Sequence, residues 1–169
     1  MKTRTITQAA ILLAIGTILH LIPGFVSMVK PDFMLVCVFT IILANKDMKT
    51  TLAISVAGGL LAGLTSNAPG GFIPNFIDKI VASLAVYFLS KLVKDGGLGE
   101  LFAKGVLYFI GTVISGFIFL FLMDITGALP EALGLMSMLV ILVLPTALIN
   151  IVVGLFFDKI VTLYNKRIW

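Results

Sequence analysis

Long apolar runs, broken only by glycine, proline and small clusters of charge, leave this chain one solvent in which to fold. The two longest, about Leu101 to Asp124 and about Ala132 to Leu163, exceed the roughly 20 residues that cross a hydrocarbon core. Of 169 residues, 60% are hydrophobic and 12% charged, with a mean hydropathy of +1.17. A domain of this size cannot hide that much apolar area from water, so lipid is the solvent the sequence fits. The runs are continuous and lack the period-two alternation of a membrane barrel. The expectation is an all-α integral membrane protein, a bundle of about six transmembrane helices forming a single domain over residues 1–169.

Punctuation by glycine and proline sets the expected helices. Helix 1 runs from about Thr5 to Leu21, opened by Thr5-x-x-Gln8, a capping-box pattern, and closed by Pro23-Gly24. Lys2 and Arg4 ahead of it mimic a secretory leader, but no small-residue cleavage site follows. Helix 2, about Phe33 to Asn45, is short for a crossing, which implies tilt or a protein cover. Helix 3 covers about Thr50 to Ser66. Helix 4 covers about Asn75 to Val93, with Pro74 at its first turn, where a missing N–H costs little. Helix 5 spans about Leu101 to Asp124, and helix 6 about Ala132 to Leu163 with a bend expected at Pro145.

The net charge of +4 comes from basic residues dispersed between apolar runs, a pattern of membrane topology rather than of a nucleic-acid surface. With six crossings, Lys2, Arg4, Lys46, Lys49, Lys91, Lys94, Lys104, Lys159, Lys166 and Arg167 fall on one side, and only Lys30 and Lys79 on the other. Ten against two orients both termini to the cytoplasm of a multi-pass cell-membrane protein. Cys37 is the single cysteine, which excludes an intrachain disulfide and a cysteine-based metal site. There is no phosphate-binding G-x-x-x-x-G-K-[ST] loop, no H-E-x-x-H and no G-x-S-x-G. No enzyme activity, cofactor or metal is expected from the residues.

Charge near hydrocarbon needs a reason, so the outer polar residues are the candidates for function. The first loop holds Lys30-Pro-Asp32. The third loop leads into Phe72-Ile-Pro-Asn75-Phe-Ile-Asp78-Lys79, where Asn75, Asp78 and Lys79 share a helix face at i, i+3 and i+4. Asp32 and Asp78 are suited to an ammonium, Lys30 and Lys79 to a carboxylate, and a zwitterionic amino acid carries one of each. Equally open is internal pairing, Lys30 with Asp78 or Asp32 with Lys79, clamping loop 1 to helix 4. Asn150, near Pro145, is a candidate polar contact or an interhelical hydrogen bond. Phe25, Phe72 and Phe76 are candidates for an apolar wall. His20 reads as satisfied by loop backbone, and Asp124 and Glu131 as solvated. Small residues four apart, Ala10-x-x-x-Ala14 in helix 1 and Gly59-x-x-x-Gly63 in helix 3, allow close helix approach; packing within the bundle is favoured for helix 3, while an external partner is as open for helix 1.

These residues resemble the S components, the substrate-binding membrane subunits of energy-coupling-factor transporters, and most closely their tryptophan-transport branch. The resemblance is carried by the initial Met-Lys-Thr with the Ala10-x-x-x-Ala14 helix, by Val29-Lys-Pro-Asp-Phe-Met-Leu35 and by Pro74-Asn-Phe-Ile-Asp-Lys79, and extends over the whole chain in length and helix count. It implies a six-helix fold that captures tryptophan from the outer side beneath loops 1, 3 and 5, and the candidates Lys30, Asp32, Phe72, Asn75, Asp78, Lys79 and Asn150 are the expected site. It further implies a transmembrane coupling subunit meeting Ala10 and Ala14, and two ATPase subunits driving release inward. Burying an indole's 150–250 Å² yields roughly 4–6 kcal/mol against an association cost of about 4–15 kcal/mol, so charged contacts must supply the rest. The competing readings are a self-sufficient small oligomeric permease and a structural membrane protein without a ligand.

Overall fold

The computed structural model describes residues 3–22, 30–93, 96–129 and 134–167. Lys2, Pro23, Gly24, Phe25, Val29, Lys94, Glu131 and Trp169 lie outside the described residues. Among those described there are helices only: α1 (Thr3–His20), α2 (Phe33–Asn45), α3 (Met48–Leu64), α4 (Phe72–Ser90), α5 (Gly97–Ile125) and α6. The last is one continuous helical stretch made of a turn Leu135–Met138, a π-helical segment Leu139–Val143 and an α-helix Leu144–Arg167. By length and composition α4, α5 and Leu135–Lys166 of α6 are sufficient to cross a membrane. This is the all-α membrane bundle the apolar runs require.

The short helix α2 is the centre of the bundle. At 13 residues it is roughly 20 Å long, and every residue from Met34 to Leu43 is buried. It touches α1, α3, α4, α5 and α6. A helix apolar on all faces needs apolar neighbours on all faces, and α2 obtains them from protein rather than lipid. Cys37 sits fully buried there beside Gly16 of α1, packed as a small hydrophobe. One hydroxyl pair crosses this core, Thr40 Oγ1 to Tyr108 Oη at 2.8 Å, so neither polar tip is stranded.

Glycines set how closely the surrounding helices approach. A Cβ on Gly59 would stand 2.9 Å from the Phe76 carbonyl oxygen, and one on Gly63 at 2.9 Å from that of Phe72. The Gly59-x-x-x-Gly63 motif is therefore the α3–α4 seam, an internal contact. Gly111 of α5 is pressed against the Phe39 ring and Val86, which locks α5 to both α2 and α4.

One local expectation is corrected. Thr5 does not open a capping box: it lies inside α1, its hydroxyl donates to Asn45 Oδ1 at 2.9 Å, and Gln8 Nε2 donates to Asn165 Oδ1 at 2.5 Å. Both side chains tie α1 to neighbouring helices, which outweighs local capping once partners are present. Capping occurs instead at Asp47, which precedes α3 and accepts the Thr50 N–H and hydroxyl at 2.9 and 2.8 Å. Those two donors hold the Asp47 carboxyl below its ordinary pKa. Pro145 changes the winding of α6: the Leu144 N–H reaches back to the Leu139 carbonyl, a π-type bond immediately before the proline. A widened turn accommodates a residue that has no N–H and a ring aimed at the preceding turn.

Close packing makes an opposite pair of expectations. Gly111→Val should destabilise by about 1–3 kcal/mol through overpacking, lowering the thermal midpoint in detergent. Gly99→Ala, where nothing lies within 4 Å of the new methyl, should raise it, by up to about 1 kcal/mol of helix propensity.

Candidate functional site

At one end of the bundle α1 and α3 finish and α2 and α4 begin, and here the buried charges meet. Helix periodicity puts Asn75, Asp78 and Lys79 on the face of α4 that turns inward, and all three are buried. Lys79, 1% exposed, extends its ammonium between two carboxylates, 2.9 Å from Asp32 Oδ2 and 3.1 Å from Asp78 Oδ2. Ser115 of α5 donates to Asp78 Oδ2 at 2.8 Å. Of the two pairings open from sequence, Asp32 with Lys79 forms. Lys30 takes a different position.

Asp32 has a second task as the N-cap of α2, where its Oδ1 accepts the Leu35 N–H at 3.0 Å. Its own N–H donates to Asn150 Oδ1 at 3.0 Å, and Asn150 Nδ2 donates to Thr112 Oγ1 at 3.0 Å. Asn150 lies midway along α6, so the chain before α2 dips into the bundle. Non-helical backbone at that depth is tolerated only where protein covers it or a polar cavity adjoins it. The Asn150 amide provides the cover, filling the donor that a helix start leaves orphaned.

Lys30 stands above this array. Its ammonium donates to the carbonyls of His20 at 2.9 Å and Ile22 at 3.5 Å, and Thr146 Oγ1 donates to the Lys30 carbonyl at 3.2 Å. Among the described residues it contacts no carboxylate. Burial lowers its pKa, against the opposing pull of Asp32. His20 is buried, and its Nδ1 lies 3.3 Å from the Thr65 hydroxyl, a side-chain partner where loop backbone was expected.

Two adjoining cavities lie between these groups. The inner, about 190 Å³, has Asp32, Asp78, Lys79, Thr112 and Ser115 on its polar side. Leu35, Gly116 and Val143 are among the residues on its apolar side. The outer, about 670 Å³, is reached by Lys30, His20 and Ser66, with Met123, Leu129 and Met138 adding apolar surface. Asn75, Phe119, Leu120 and Leu142 belong to both walls and form the boundary between the two. Asn75 is fixed there by donating to Ser66 Oγ at 3.0 Å and to the Gly71 carbonyl at 2.9 Å. The outer volume is within the roughly 300–1,000 Å³ of small-molecule sites.

The candidates thus separate. Lys30, Asp32, Asn75, Asp78 and Lys79 line the cavities. Asn150 stands one layer behind and positions Asp32 and Thr112. Phe72 lines neither cavity; it is 42% exposed with its ring on Gly63. Phe76 lies against Gly59, and Asp124 is exposed. The aromatic wall is Phe119, on α5. Sequence reading missed that helix, although Tyr108, Thr112, Ser115, Gly116 and Phe119 recur at i, i+4, i+7, i+8 and i+11, one helical face.

The family model of the tryptophan transporter TrpP matches residues 2–165. A "Probable tryptophan transport protein" of Clostridium perfringens is 34% identical over 98% of this chain and 95% of its own length. A protein of the same description from Clostridium acetobutylicum is 35% identical over 91% and 89%, and one from Bacillus subtilis 34% over 99% and 95%. No solved structure matches.

The buried array sets an expectation for stability. Lys79→Ala strands two carboxylates in the bundle and should cost about 3–5 kcal/mol, read as a fall in thermal midpoint. Adding Asp78→Asn to it removes one stranded charge and should recover part of that loss.

Proposed function

The chain belongs to the TrpP family of tryptophan transporters, and from that premise we propose that it is the substrate-binding membrane subunit of an energy-coupling-factor importer, capturing tryptophan in the double cavity beneath its outer loops. The observation that carries this reading is the arrangement of charge. Asp32 and Asp78 surround one ammonium, leaving the inner cavity one formal negative charge, while the Lys30 ammonium at the outer cavity has, among the described residues, backbone carbonyls as its hydrogen-bond partners. A zwitterion fits that gradient in one direction. Its ammonium goes inward to the Asp78–Ser115 edge, its carboxylate outward to Lys30, and its indole along Phe119, Leu120 and Leu142.

Orientation follows from the basic residues. Arg4 bonds to Asn165, and Lys104 to Asp158 at 2.9 Å, which brings the start of α1, the start of α5 and the end of α6 to one end. Lys30 and Lys79 lie toward the other. In the cell membrane the lysine-rich end is cytoplasmic and the cavity opens outward. Ala10 and Ala14 are exposed on α1, and their small side chains suit close approach by a coupling subunit whose two ATPases drive release.

Binding can be read directly, because Trp169 is the only tryptophan. Trp169→Phe leaves a protein without indole, so tryptophan fluorescence retained through gel filtration, and shifted to the blue, reports bound ligand. In that background Lys30→Ala and Asp78→Asn should each weaken binding roughly 10–100-fold, the worth of a charged hydrogen bond. No retained tryptophan in a folded protein would overturn the substrate assignment.

Coupling is tested separately. Ala10→Leu with Ala14→Leu should leave binding intact and abolish uptake in cells. Unchanged uptake removes the partner interface, and uptake by the chain alone in liposomes without ATP establishes the permease instead.

A further inference from the structure

We propose that a groove between α5 and α6, on the outside of the bundle and remote from the substrate cavity, binds one anionic phospholipid. The groove has two parts. Its mouth, a hollow of about 600 Å³, is lined by Lys104, Lys159, Thr162 and Lys166 together with Glu100 and Asp158. Its floor, a further trough of about 490 Å³, is lined only by apolar residues and glycine, including Leu98, Phe102, Gly105, Phe109 and Ile151. Leu101 and Leu155 belong to both parts and join them.

The charges of the mouth fix the sign of the occupant. Lys104 is held by Glu100 at 2.8 Å and Asp158 at 2.9 Å, so the three carry one formal negative charge. Lys159 and Lys166 reverse it to a net positive one. They stand seven residues apart, two turns on one face with Thr162 between, and both are exposed. A mouth with two outward ammoniums and a hydroxyl suits a phosphate diester.

The trough fixes the rest of the ligand. Gly105 removes a side chain where α5 nears α6, since a Cβ there would already be 3.4 Å from Ile151 Cγ2. From Leu98 to Phe109 it follows α5 for roughly 16 Å, about half of the ~30 Å hydrocarbon core. A groove one leaflet deep, apolar inside and basic at the level of the headgroups, has the dimensions and polarity to seat a phospholipid headgroup at its mouth and one of the lipid's acyl chains along its floor. Basic recesses between transmembrane helices are a known setting for anionic headgroups. Partner helices would not need the two lysines.

Native mass spectrometry of the detergent-purified chain, titrated with dioleoylphosphatidylglycerol or dioleoylphosphatidylcholine, tests this. Phosphatidylglycerol should bind more tightly, and Lys159→Gln with Lys166→Gln should weaken it roughly 30-fold, at about 1 kcal/mol for each lysine, while leaving phosphatidylcholine unaffected. Lys49→Gln with Lys91→Gln, which removes two exposed lysines outside the groove, should leave the preference intact. Equal loss in both double variants would mean general charge attraction and overturn the site. So would an unchanged preference after Lys159 and Lys166 are replaced. All four substitutions are at exposed positions, and an unchanged thermal midpoint certifies the fold.

Discussion

The ammonium of Lys79, held between Asp32 and Asp78, determines how the rest of this bundle is arranged. Lipid offers nothing to a stray charge, so each of the three groups depends on the other two. Asp32 begins α2, Lys79 and Asp78 are on α4, and Ser115 extends the array to α5. A single cluster therefore fixes where the central helix starts and which faces of α4 and α5 turn toward it. The hydrogen bond from the Asp32 amide to Asn150 adds α6. Four of six helices are registered by polar contacts, and the apolar packing of α2 fills the space they define.

Such an array is a clamp, and the sequence left open whether these charges were a clamp or a site. The geometry makes the alternatives compatible. Internal pairing uses one cation for two carboxylates, so the array is satisfied in hydrogen bonds but unbalanced in charge. A structural bridge alone would need only one aspartate. The unbalanced charge adjoins a cavity rather than protein, and on the proposed reading a substrate ammonium supplies the balance. Stability and binding then draw on the same residues, with Lys79 weighted to the first and Asp78 to the second.

How much of this was legible follows from the physics of each element. Length and continuity of the apolar runs are a direct response to bilayer thickness, so the class and the helices were readable. Asp78 and Lys79 were conspicuous because charge is rare in such a segment. Thr112 and Ser115 were not, because hydroxyls in membrane helices commonly bond their own preceding turn, as Thr17 does to the Leu13 carbonyl and Thr65 to that of Leu61. Only the spacing along α5 marked them, and it was overlooked. Phe72 was assigned to the wall from its closeness in sequence to Asn75. At three residues' separation the faces agree only broadly, and the absence of a side chain at Gly63 drew the ring to α3 instead. Thr5 shows a further limit: a local capping pattern yields when a tertiary partner competes for the same hydroxyl.

The π-helical turn before Pro145 connects fold to cavity. Leu142 and Val143 both line the inner cavity, and both belong to the widened segment. An α-helical turn there would rotate their side chains relative to α5, where Gly116 already leaves no room, since a Cβ would be 2.6 Å from Val143 Cγ1. The missing side chain at Gly116 and the extra residue in the α6 turn are thus complementary: one opens space on α5 and the other sends Val143 into it. The apolar side of the cavity is consequently shaped by backbone choices at Gly116 and Pro145, whereas its polar side is shaped by the charges around Lys79. Recognition of an aromatic zwitterion requires both, because the indole is read by shape and the α-carbon groups by charge. On the proposed reading these two tasks fall to separate elements, α5 with α6 for the first and the α2–α4 junction for the second.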